Sequence, residues 1–155
     1  MKKRLTIIQM DVHVNDVEYN YTRVQELLSQ SLSENPDIIV LPETWNTGFY
    51  PSKDLINIAD RNGERTQSLL STFAKKHNVN IVGGSVAVAK NDVVFNTSYA
   101  YNREGTLVGE YSKMHGFSPA KEDQYFAGGT HTTHFELDGI PCSTVICYDI
   151  RFPEL

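Results

Sequence analysis

Three things are scarce in this sequence, and each scarcity closes off a class of function. Positive charge is the first: 14 Lys and Arg against 19 Asp and Glu leave a formal net charge of −5. Nucleic acids and anionic membranes attract a basic face, so neither is expected as a partner. Long apolar runs are the second, and none approaches the ~18 residues of a membrane span. The basic start, MKKRLTIIQMDVHV, is interrupted by Gln9 and Asp11 and lacks a small-residue cleavage site, so it does not read as a signal peptide. Cysteine is the third. Cys142 and Cys147 fall five apart in one strand-like stretch, on opposite faces by a period of two, which argues against a disulfide. The expectation is a cytoplasmic protein with both thiols reduced.

What is present is an ordinary globular mixture: 155 residues, 40% hydrophobic and 21% charged, with eight Tyr, seven Phe and one Trp. A chain of this length buries roughly 70% of its unfolded surface, enough for one real core. It contains no internal repeat, low-complexity tract or linker. RLTIIQMDV reads as a first strand. From Glu18 to Ser33, Tyr21, Val24, Leu27, Leu28 and Leu32 recur at spacings of three and four, the pattern of an amphipathic helix ended by ENP. DIIVLPE has the continuous apolar pattern of a strand buried on both faces. Leu69, Leu70, Phe73 and Ala74 mark a second helix that closes near KKHN. VNIVGGSVAVA, VVFNTSYAYN and TLVGEYSK then read as strands, separated by turn residues at Lys90-Asn91-Asp92 and Asn102-Arg103-Glu104-Gly105. After a loop from Gly116 to Gly129, THFELDG and IPCSTVIC form a last strand pair around Asp138-Gly139. The class is α/β, with helices packed on a sheet.

Three polar residues stand out by position: Glu43 after DIIVLP, Lys113 after TLVGEYS and Cys147 after CSTVI, each at the carboxyl end of an expected strand. In open α/β sheets the ligand crevice lies outside such ends. A thiol attacks only as thiolate; a nearby carboxylate takes its proton, and an ammonium stabilises negative charge on a carbonyl oxygen under attack. Glu, Lys and Cys thus form a workable set for acyl transfer through a thioester, with the backbone N–H of Tyr148 as a second oxyanion donor. Taken singly, each residue also has a plainer use. A lone strand-end Cys is usually a small buried hydrophobe, Glu43 suits a polar loop and Lys113 suits a solvated strand end.

LPETWNTGF, YSKMHGF and CYDIRFPEL, in that order, resemble the three signature blocks of the nitrilase superfamily, the carbon–nitrogen hydrolases, and the similarity runs from the first strand to the last residue. The resemblance implies an α-β-β-α sandwich that dimerises and needs no metal or organic cofactor. It places the catalytic Glu, Lys and Cys on Glu43, Lys113 and Cys147. A further family Glu, thought to position substrate and lysine, falls on Glu122 in PAKEDQYFAGG. PETWNTGF with CYDIRFPEL looks most like the omega-amidases, which deamidate 2-oxo-acid amides such as 2-oxoglutaramate. Residues 1–155 are then expected to be the N-terminal part of a carbon–nitrogen hydrolase domain, incomplete at its C-terminal end, with RFPEL entering a helix through Pro153. The rival from another class is a non-catalytic remnant or binding module that keeps the motifs and assembles no site.

Other constellations carry less. His131 and His134 with the two cysteines do not promise a converging zinc tetrahedron. His115 beside Lys113 is expected to orient its loop. Gly83 and Gly84 suit close packing or a bulge, since no helix follows to make a phosphate cradle. Trp45, Phe49 and Tyr148 are candidates for a pocket lining, and Arg151 is expected to brace its turn by pairing with Asp149 or Glu154.

Overall fold

In the computed structural model, which describes residues 2–155, apolar runs become strands only where a neighbour supplies a ladder. The elements in order begin with β1 (Leu5–Ile7), α1 (Val17–Ser31), β2 (Ile38–Val40), α2 (Leu55–Ile58), β3 (Asp60–Arg61) and α3 (Glu64–His77). There follow β4 (Asn80–Val82), β5 (Val86–Lys90), β6 (Val93–Tyr101), β7 (Leu107–Ser112), α4 (Glu122–Tyr125), β8 (His134–Leu137) and β9 (Ile140–Ser143). Strands β1 to β7 form one mixed sheet, in which β1, β2 and β4 run parallel and β6 is antiparallel to β4, β5 and β7. The α/β class read from the sequence is present, and the layer of helices on a sheet is consistent with an α-β-β-α sandwich.

The first helix forms where the apolar spacing places it. Asp16 caps it by accepting from Tyr19 N–H at 3.1 Å, and Asn35 ends the turn after it in a left-handed conformation before Pro36. Tyr21, Val24 and Leu28 from α1 share a core with Leu70, Phe73 and Ala74 from α3 and with Ile39, Ile81, Val86 and Val88 of the sheet. The alternate positions Ala87 and Val94 pack instead with Leu55 and Ala59, and Tyr125 and Phe126 close over them.

The expected elements differ from the observed ones in four places. RLTIIQMDV pairs only through Leu5–Ile7. VNIVGGSVAVA splits into β4 and β5, both lying along one edge of β6 and interrupted at Gly83-Gly84-Ser85. Gly84 explains the break: its φ is +58°, and a Cβ there would lie 2.0 Å from the carbonyl oxygen of Pro42. IPCSTVIC leaves the ladder at Ser143, because Thr144 to Ile146 have no strand partner among the described residues. RFPEL does not enter a helix; Phe152 to Leu155 close a turn, with Leu155 N–H donating to Phe152 O at 3.2 Å. The three expected turns are present, and both residues of Asn91-Asp92 and of Asp138-Gly139 have positive φ, as type I′ two-residue hairpin loops require.

Candidate active site

The loop carrying Glu43 is tied to the β4–β5 break. Leu41 N–H donates to Val82 O, Trp45 N–H to Ser85 O, and Thr44 N–H to the Ser85 hydroxyl. Asn46 exchanges two bonds with Ala87, accepting from its N–H at 2.8 Å and donating to its C=O at 3.0 Å. Trp45 is completely buried and donates Nε1–H to Gly83 O, so it belongs to the core and does not line a pocket. Glu43 itself stays partly open to solvent.

Lys113 follows β7 directly, as expected, and is 3% exposed. Its Nζ donates to Glu43 Oε1 at 2.8 Å and to Glu122 Oε2 at 2.7 Å. Burial works against the Lys113 charge, but the hydrogen bonds and charges of Glu122 and Glu43 outweigh it and hold the ammonium above its usual range. Glu122, the first residue of α4, is 1% exposed and also accepts from Phe117 N–H at 2.6 Å, which ties the lysine to the loop beyond it. A cavity of about 210 Å³ is bordered by Lys113, Glu122, Asn96 and Phe126. Two of the three N–H donors of the ammonium are taken by these carboxylates, which leaves one for a further oxygen.

Cys147 is exposed and starts a 3-10 turn, Cys147–Arg151, with a left-handed backbone (φ +47°), instead of ending a strand. An exposed nucleophile on a sharply turned backbone is a recurrent arrangement in acyl-transfer enzymes. Although the residue is exposed, partial desolvation of the sulfur pushes the Cys147 thiol up, the charge and proximity of Glu43 push it further, and Lys113 opposes them. The net direction favours the thiol over the thiolate. The Tyr148 N–H next to it has no acceptor among the described residues.

The turn is organised by Asp149, which is completely buried. One of its oxygens accepts from Tyr111 OH at 2.7 Å and Ile146 N–H at 3.2 Å; the other accepts from His115 N–H and meets His115 Nδ1, both at 2.9 Å. His115 stacks on Phe152 with ring centroids 3.6 Å apart. His115 thus orients its loop, as expected, but the expected pairing of Arg151 with Asp149 or Glu154 is absent among the described residues: Asp149 is taken by Tyr111 and His115, and Arg151 and Glu154 are both exposed. Sequence spacing offered no signal for Tyr111, whose role depends on a contact 38 residues away.

The structure thus brings Glu43, Lys113 and Glu122 into direct contact and sets Cys147 beside them, with Glu43 and Lys113 lying 70 residues apart in the chain. The carbon–nitrogen hydrolase family profile matches residues 4–155. The chain belongs to that family. Among curated relatives of this carbon–nitrogen hydrolase, it is 42% identical to a 2-oxoglutaramate amidase of Bacillus subtilis over 99% of its length and 59% of the relative's. It is 33% identical to an omega-amidase of Danio rerio, covering 99% of this chain and 57% of that one. A CN-hydrolase superfamily protein of Xanthomonas campestris, solved with an arsenic adduct in its active site, superposes with a TM-score of 0.86 at 29% identity, over 98% of this chain and 56% of that one. The chain spans a little under three-fifths of the length of these relatives. No helix of the described residues is long and apolar enough to cross a membrane.

Proposed function

We propose that this carbon–nitrogen hydrolase is a cysteine amidohydrolase that releases ammonia from a small linear amide. The observation that carries the reading is the Lys113 ammonium bridging Glu43 and Glu122 beside an exposed thiol. Glu43 takes the Cys147 proton as the sulfur attacks the amide carbon. The carbonyl π electrons move to oxygen, and the oxyanion rests between Lys113 and the Tyr148 N–H. Collapse breaks the C–N bond; the proton held by Glu43 goes to nitrogen, and ammonia leaves a thioester on Cys147. Water then gives a proton to Glu43 and attacks the thioester carbon. The C–S bond breaks, the thiolate recovers the proton from Glu43, and a carboxylic acid departs. Glu122 holds Lys113 in place throughout.

The substrate we propose is a 2-oxo-acid amide such as 2-oxoglutaramate, supported by the 42% identity to an amidase named for that compound. The reading includes a cytoplasmic homo-oligomer with reduced thiols. It is tested by ammonia release from 2-oxoglutaramate in the protein carrying this chain. Cys147→Ala should abolish release, whereas Cys142→Ala, on the β8–β9 hairpin, should keep most of it. Survival of the Cys147 variant, or equal losses in both, refutes the nucleophile; absence of release from the parent favours a non-catalytic remnant.

A further inference from the structure

Asn96 lies within β6, opposite Ala87 of β5, and is 1% exposed. Its Nδ2 donates to Glu43 Oε1 at 3.1 Å, the same oxygen that receives Lys113 Nζ at 2.8 Å. Its backbone carbonyl accepts from Lys113 N–H at 2.8 Å. One strand residue therefore holds the side chain of the base and the backbone of the lysine. Chemistry decides the orientation of its amide, because a reversed amide would set Oδ1 against a carboxylate oxygen, acceptor to acceptor. In the orientation that remains, Oδ1 is buried with no hydrogen-bond partner among the described residues, as is Glu122 Oε1. Asn96 and Glu122 border the same cavity of about 210 Å³. A buried amide with an unpaired oxygen carries an uncompensated desolvation cost, and β-branched residues fill strand positions without it. The needs of the strand therefore do not account for this residue.

We infer that Asn96 is a positioning residue for the reacting set: its amide pins Glu43 Oε1 so that Oε2 is the oxygen left to take the Cys147 proton, and its carbonyl seats Lys113 at the end of β7. The inference rests on the reading of Glu43, Lys113 and Cys147 as that set. The charged and titratable groups around Glu43 are Lys113 from the end of β7, the Cys147 thiol from the 3-10 turn, and Glu122 from α4, beyond the lysine.

Two variants test it, with alkylation by iodoacetamide followed on the peptide that carries Cys147. Asn96→Asp keeps the shape but replaces the donor with a second carboxyl against Glu43; the pH midpoint of Cys147 alkylation should rise by about one unit. Asn96→Ala removes the donor, and kcat for 2-oxoglutaramate should fall on the order of 10²-fold while KM stays within about threefold. Circular dichroism checks that each variant is folded. An unmoved alkylation midpoint in folded Asn96→Asp, or a parental kcat in Asn96→Ala, overturns the inference. If both variants unfold, Asn96 serves the fold and the inference also fails. The alkylation readout needs no turnover, so the two readings fail separately. An alkylation shift alongside an active Cys147→Ala defeats the amidase mechanism alone, whereas loss of activity in Cys147→Ala without the shift defeats the role of Asn96 alone.

Discussion

Glu43 and Lys113 are held by backbone ladders of a seven-stranded sheet, whereas Cys147 follows a two-stranded hairpin and three residues without a ladder. At the first end, position is set by hydrogen bonds that many residues share, such as those joining the Glu43 loop to Ser85 and Ala87 through the backbone of Thr44 and Trp45 and the side chain of Asn46. At the second, it is set by one buried carboxylate, Asp149, and by the stack of His115 on Phe152. A reaction that passes a proton from sulfur to carboxylate needs both ends in register. The difference teaches where the site is vulnerable: distributed support tolerates loss of one bond, but a single hub does not.

The largest expected effect tests whether the two ends communicate as acid and base. Glu43→Gln keeps the shape of the base and removes its proton affinity, so single-turnover thioester formation should slow by roughly 10²–10⁴-fold with little change in substrate binding. The same substitution removes a charge that pushes the Cys147 thiol up, so alkylation by iodoacetamide near neutral pH should become faster. Acylation at the parental rate would show that Glu43 is not the base.

The hub is the next point to break. Asp149→Ala strands the Tyr111 hydroxyl, the His115 and Ile146 N–H groups and the His115 ring together, and should cost about 3 kcal/mol, read as a thermal midpoint lower by several degrees. Asp149→Asn, which keeps an acceptor oxygen, should recover part of it. Equal stability in the parent and Asp149→Ala would mean that the turn is held by something else.

The smallest effect concerns the tether of the hairpin that precedes Cys147. Arg103 grips Asp138 through Nε at 2.8 Å and Nη2 at 2.7 Å, and reaches Asp37 and the carbonyl of Asn78. The bonds from Arg103, and after them from Lys3, outweigh burial and hold the Asp138 carboxyl well below the usual range. A carboxyl depressed in the folded state contributes stability above the unfolded value, near 4, and loses it as pH falls toward the folded one. The thermal midpoint should therefore drop as pH is lowered below about 4, by an amount equivalent to about 1 kcal/mol, and Asp138→Asn should flatten that dependence. An unchanged slope in Asp138→Asn would assign the acid sensitivity to other carboxyls.

Much of this was legible without coordinates. The spacing of Tyr21, Val24 and Leu28 and of Leu70, Phe73 and Ala74 marked the two helices, because a helix buries one face at a fixed period. Asn91-Asp92 and Asp138-Gly139 marked two hairpins, because few residues accept positive φ. The three motif blocks pointed to Glu43, Lys113 and Cys147, and the stretch PAKEDQYFAGG to Glu122. The split of VNIVGGSVAVA was not legible: Gly83-Gly84 allows a break, but the reason for it is the Pro42 carbonyl, 42 positions from Gly84. Nor was the end of the last strand at Ser143, since the β-branched residues Thr144, Val145 and Ile146 look the same with or without a ladder partner.

The sequence by itself determined which chemical groups are available and the local elements that carry them, because side-chain period, turn conformation and cap chemistry act over a few residues. Only the tertiary structure decided that Lys113 shares its ammonium between Glu43 and Glu122, that Asn96 shares Glu43 with it, and that Asp149 anchors the Cys147 turn through Tyr111 and His115. Most of those contacts join residues tens of positions apart, and an ion pair or a buried hydrogen bond forms only after the sheet has brought its partners within about 3 Å and removed the water between them.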